Sequence, residues 1–144
     1  TALLYIADTG NNAIKILDTT TGDADATLPK EEPGTVHMTM SGDEYWTLID
    51  GEDYGLSLPS GLTIIDDILL ITDNATSTIY AFTLDGELID QLETPFDSGS
   101  LMGIYASSLD DIWLVNALDN EVWRLQPSGA DTTMEAGHLE YTSW

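Results

Sequence analysis

The chain is 144 residues long, 42% hydrophobic and free of cysteine, and it carries 26 acidic residues against three basic ones, a formal net charge of −23. That length gives one domain with a packed core. No apolar run reaches the ~20 residues of a membrane-spanning helix, and without cysteine there is no disulfide, thiol nucleophile or zinc–thiolate site. So negative a surface repels phosphate backbones and anionic membranes, which excludes nucleic acid and membrane insertion as expectations and favours cations, basic partners and water.

In chain order, the first element is an apolar strand, Leu4 to Asp8, followed by a five-residue polar loop and a second strand, Ile14 to Leu17. The sequence opens on this strand, which reads as a start inside a fold. Between about Asp23 and Gly55 the composition changes, with turn signals at Glu31-Glu32-Pro33-Gly34 and Asp50-Gly51-Glu52-Asp53. Thr35 to Thr39 and Tyr45 to Ile49 look like strands, and the segment is expected to be an elaborated outer hairpin. Gly61 to Ile65 then leads through Asp66-Asp67 into the strand Leu69 to Asp73, a loop, and the strand Ile79 to Phe82. A tight Asp85-Gly86 turn precedes an outer strand, Leu88 to Leu92. The pattern returns with Gly103 to Ser107, Asp110-Asp111, Ile112 to Asn116 and Val122 to Leu125, and Glu140 to Trp144 is the expected last strand.

Three of these hairpins align without gaps. Each has an apolar strand ending on Asp8, Asp73 or Asn116, a five-residue loop, and a β-branched residue six positions later. The Asp or Asn side chain there accepts hydrogen bonds from loop N–H groups, so its first role is structural. Asp73 and Asn116 lie 43 residues apart, within the ~40–50 residues of a propeller blade. The expected fold is therefore all-β, a partial β-propeller of about three four-stranded antiparallel blades. Its parts are a partial blade over 1–22, an insertion over 23–55, a full blade over 56–98, and a third blade with a tail over 99–144. Glycines at the inner strands fit close backbone approach.

The segment Leu4-Tyr5-Ile6-Ala7-Asp8-Thr9-Gly10-Asn11-Asn12, followed by Ile14, resembles the core motif of NHL repeats, and Pro59-Ser60-Gly61-Leu62 resembles the start of an NHL blade's innermost strand. The resemblance implies a propeller that closes with about six blades, so other chains or remaining blades are expected to complete this arc. Related six-bladed propellers include metal-dependent lactonases, arylesterases and an amidating lyase. In the gluconolactonase-like ones a metal-binding Asn can precede the inner-strand glycine; here those positions are Ser60 and Met102, neither a good ligand for a hard cation.

The polar loops supply the expected binding face: Asp8, Asn11, Asn12, Asp73, Asn74, Asn116, Asp119 and Asn120. Asp50, Glu52 and Asp53 form the candidate calcium loop, without EF-hand spacing. His37 and His138 are the only histidines, and a Met/His copper site with Met38, Met40 and Met134 is a minor alternative to core filling. Trp113 and Trp123 occupy blade-packing positions, whereas Trp46 and Trp144 lie outside the repeat as candidate contact residues. The composition suits an extracellular or periplasmic protein. The leading expectation is a non-catalytic module that binds a protein partner or assembles. Its alternatives are part of a metal-dependent propeller hydrolase or lyase, and a structural subunit of a surface assembly.

Overall fold

The computed structural model describes residues 2–27, 38–128 and 138–141, and over these the chain is all-β. The first sheet holds β1 (Leu3–Asp8), β2 (Ala13–Asp18) and β5 (Tyr45–Asp50), in that order across the sheet. Between β2 and β5 the chain leaves to form a two-stranded ribbon of β3 (Asp23–Thr27) and β4 (Met38–Ser41). The second sheet is β6 (Pro59–Ile65), β7 (Ile68–Asp73), β8 (Thr78–Thr83) and β9 (Leu88–Glu93), all antiparallel neighbours. The third is β10 (Leu101–Ser108), β11 (Asp111–Asn116), β12 (Glu121–Pro127) and β13 (His138–Tyr141). The three larger sheets are successive blades in an open arc.

Two elements depart from the sequence reading. Tyr45 to Asp50 does not pair inside the insertion; it lies antiparallel to β2, with Leu17 opposite Tyr45 and Ile14 opposite Ile49, and is the outer strand of the first blade. Among the described residues the ribbon is the inserted part, and of the expected strand Thr35 to Thr39, residues 35–37 lie outside the described residues. The last strand starts at His138 and runs parallel to β12, where an antiparallel outer strand over Glu140 to Trp144 was expected; residues 142–144 lie outside the described residues.

Alternation along each strand sends side chains to both faces of its blade. Tyr5, Ala7 and Ile14 of the first blade, with Ile49 and Leu56, pack against Leu69, Ile71, Tyr80 and Phe82 of the second. Leu70, Ile79 and Ala81, on the second blade's other face, pack against Ile112, Leu114, Trp123 and Leu125 of the third. The middle blade is therefore apolar on both faces, and Leu69, Leu70, Ile71, Ile79, Ala81 and Phe82 are all fully buried. Phe82 meets the Tyr54 ring edge-on at 5.1 Å, and Phe96 meets Trp123 at 4.9 Å, both favoured aromatic geometries.

The expected close approach of inner strands holds at Gly61. A Cβ there would stand 2.9 Å from the Met102 carbonyl oxygen and 3.0 Å from the Gly103 Cα, both backbone atoms of the next blade. Gly103, at the corresponding place in the third blade, would meet only the Val115 side chain, at 3.6 Å. No blade lies beyond it among the described residues.

Candidate functional site

The three polar loops share one left-handed position, although the first is a 3-10 turn over Thr9–Asn11 and the other two are plain turns. Asn12, Ser77 and Asn120 hold the same position in their loops, and all are left-handed, with φ of 53°, 53° and 58°. Asn tolerates that region better than most residues, which fits its use at two of the three sites.

Most of the expected binding residues are committed inside the fold. Asp73 is fully buried, and its carboxylate accepts from three backbone N–H groups: Ser57 at 2.7 Å, Leu58 at 3.0 Å and Ala75 at 2.9 Å. Asn116 is 1% exposed; its Oδ1 accepts from the Asp119 N–H, and its Nδ2 donates to the Asp119 carboxylate. Asp8 accepts from both directions: Asn11 Nδ2 donates to each of its oxygens at 2.9 Å, and Lys15 Nζ stands 3.6 Å away. The Asn12 carbonyl accepts from the Gly51 N–H at 2.8 Å. Of the expected face, Asn11, Asp119 and Asn120 remain exposed to solvent.

The first residue of the first two loops reveals a latch that sequence reasoning missed. Thr9 Oγ1 donates to the Pro59 carbonyl at 2.7 Å, and Asn74 Nδ2 donates to the Leu101 carbonyl at 2.9 Å. Thr9 and Asn74 are equivalent in the repeat, and Pro59 and Leu101 each begin the inner strand of the following blade. The signal was present as a side-chain donor directly after the strand-ending Asp. In the third blade that position is Ala117, whose side chain has nothing to donate.

The candidate calcium loop is a short 3-10 turn, Gly51–Asp53, in which Asp50 Oδ1 accepts from the Glu52 N–H. Among the described residues no three His, Asp or Glu side chains gather closely enough to hold a metal ion. His37, Met134 and Trp144 lie outside the described residues, and His138 and Met38 are described only in their backbone. Ser60, at the inner-strand position, donates its hydroxyl to the Leu101 carbonyl at 2.9 Å. Asp66 and Asp67 form the two-residue turn between β6 and β7, both at positive φ. In the third blade Asp110 stays in the turn, while Asp111 begins β11.

Among the described residues, apolar side chains are exposed on the two end faces of the stack. On the third blade, Tyr105, Trp113, Val115 and Val122 are 62%, 38%, 42% and 61% exposed. Trp113 is thus not the core residue its repeat position implied. Its ring lies 5.6 Å from the Arg124 guanidinium, which is held 2.9 Å from Asp111, and its Nε1 donates to the same carboxylate. The Ser107 hydroxyl, followed by Arg124 and Trp113, holds the Asp111 carboxyl below its ordinary 3.8 against the opposing effect of burial. On the first blade, Leu4 and Tyr45 are about half exposed, Ile6 and Leu17 are partly so, and Lys15 lies 5.0 Å over the Tyr45 ring.

The chain matches no family model, and no curated protein or solved structure is significantly similar to it.

Proposed function

We propose that this chain is a non-catalytic binding and assembly module of the NHL-like propeller type, working in an extracellular or periplasmic setting, with its end blades covered by further blades or other chains. One observation carries the reading: the apolar side chains of both end faces hold repeat positions that are buried in the middle blade. Trp113, Val115 and Val122 correspond to Leu70, Thr72 and Ile79, and Leu4, Ile6 and Leu17 correspond to Leu69, Ile71 and Phe82. Those six counterparts are all fully buried, each 0% exposed. Exposed apolar surface of this extent, on a chain otherwise so acidic, marks an interaction site. The polar loops favour a structural over a catalytic role, because the Asp73 carboxylate is taken up by backbone N–H groups and Asp8 and Asn116 pair with neighbouring loop and strand side chains.

Hydroxyl-radical footprinting of the native protein tests this. Tyr45, Tyr105 and Trp113 are expected to label more slowly than their exposure in the isolated arc implies, with Met40, 51% exposed on the ribbon, as the freely labelled reference. Labelling of all three at the rate of Met40 would overturn the proposal.

A further inference from the structure

We infer that the partner covering both end faces is a second copy of this chain, stacked head to tail, so that the outer face of one copy's third blade lies on the outer face of the next copy's first blade. The inference rests on the assembly reading above and names its partner.

Each blade has a leading face, toward its successor, and a trailing face, toward its predecessor. Both internal junctions join the same two kinds of face. At the first junction the leading positions Tyr5, Ala7 and Ile14 meet the trailing positions Leu69, Ile71, Tyr80 and Phe82. At the second, the leading positions Leu70, Ile79 and Ala81 meet the trailing positions Ile112, Leu114, Trp123 and Leu125. Two faces are left over. Among the described residues, the third blade leaves its leading positions Trp113, Val115, Val122 and Arg124 more than a third exposed, and the first blade leaves its trailing position Leu4 half exposed and Ile6, Lys15 and Leu17 partly so. The unmatched faces are thus the two complementary halves of the junction this chain already makes twice. A head-to-tail contact between copies joins them, and such a contact is heterologous: it closes into a ring or continues as a filament according to the rotation per copy.

Charge placement points the same way. The chain has three basic residues, and the two that are described, Lys15 and Arg124, stand one on each end face. Each is paired with a carboxylate, Asp8 or Asp111, and each covers an aromatic ring, Tyr45 or Trp113. Each end face thus carries one charge-neutral ion pair on a molecule of charge −23, which lowers the repulsion two copies of one acidic chain must overcome to touch. The latch position of the third blade is Ala117, whose side chain offers no donor, so the third blade brings only its face to this contact.

The native protein is followed by sedimentation or native mass across a concentration series, at low salt and at ~1 M salt, where the Debye length is about 3 Å. Association is expected to rise with concentration and with salt. Leu4→Asp and Val122→Asp each spoil one face. Both side chains are at least half exposed, so each variant is expected to unfold at the wild-type temperature and to lose association by about tenfold or more. Mixing the two variants restores a one-to-one dimer, because the intact leading face of Leu4→Asp meets the intact trailing face of Val122→Asp. Failure of the mixture to associate, or persistent self-association of either variant alone, overturns the head-to-tail assignment. A monomer whose Tyr45, Tyr105 and Trp113 are protected from footprinting overturns the second copy as partner and leaves the assembly reading standing. A monomer in which they label freely overturns both.

Discussion

Replacing Asp73 tests whether the strand-ending carboxylate organises the blade. The side chain is fully buried and accepts three backbone N–H groups, two of them on the segment leading into β6 and one in its own loop. Asp73→Ala orphans all three donors. A buried donor left unsatisfied costs about 1–3 kcal/mol, so after partial relaxation the variant is expected to lose about 3–6 kcal/mol. Asp73→Asn keeps an oxygen for Leu58 and Ala75 but turns an amide N–H₂ toward the Ser57 N–H, and about 1–3 kcal/mol is expected. Asp8→Asn, at the equivalent but partly exposed site with Asn11 and Lys15 as partners, is expected to stay within about 0.5 kcal/mol of wild type. Urea unfolding of the three variants, read as a midpoint shift at constant slope, gives the order directly. If Asp73→Ala cost under about 1 kcal/mol, or Asp73→Asn no more than Asp8→Asn, the carboxylate would not be holding the segment before β6.

Three further outcomes follow from the same geometry. Gly61→Ala drives a methyl against the backbone of the next inner strand and is expected to cost about 1–3 kcal/mol, whereas Gly103→Ala, which meets only the Val115 side chain, is expected to cost under about 1 kcal/mol; thermal unfolding separates them. Asp66→Asn with Asp67→Gly fits a two-residue turn whose residues both lie at positive φ and removes two negative charges, so about 0.5–1 kcal/mol of added stability is expected in urea. Asp111 has a carboxyl held low in the folded state, so its stabilisation is complete above the ordinary value of 3.8 and is lost as pH falls through the folded value. The stability gap between wild type and Ser107→Ala is therefore expected at pH 7 and should shrink as pH falls below the ordinary carboxylate value of 3.8; a gap that stays constant through that acid range would refute the assignment.

The hairpins were legible in the sequence because their information is local. Alternation, β-branched residues and the Asp-to-loop spacing all lie within about fifteen residues, and the shared left-handed loop position confirms the gapless alignment of Asn12, Ser77 and Asn120. What was illegible depends on distant partners. Nothing near Tyr45 shows that it pairs with Leu17 across an inserted ribbon rather than with its neighbour in sequence. The parallel pairing of β13 with β12 is equally silent, since parallel and antiparallel strands share one side-chain period. Trp113 misled for another reason. Its burial was inferred from Leu70, which lies in a blade covered on both faces, while the third blade is covered on one. The candidate site suffered the same way. Asp73 and Asn116 were legible as turn formers, but Asp73 is also held by the distant Ser57–Leu58 segment, which nothing near it in sequence announces.

The ribbon leaves and rejoins the first blade at nearly one point: the Asp18 N–H donates to the Glu44 carbonyl at 2.9 Å, and the Glu44 N–H donates to Thr21 Oγ1 at 2.8 Å. A segment whose ends are already clasped adds only a slowly growing closure entropy as it lengthens. The blade's register, set by Leu17 against Tyr45, does not depend on how many residues lie between them. This neck is a splice point: the ribbon between its ends can lengthen, shorten or be exchanged without moving the strands that frame the first blade.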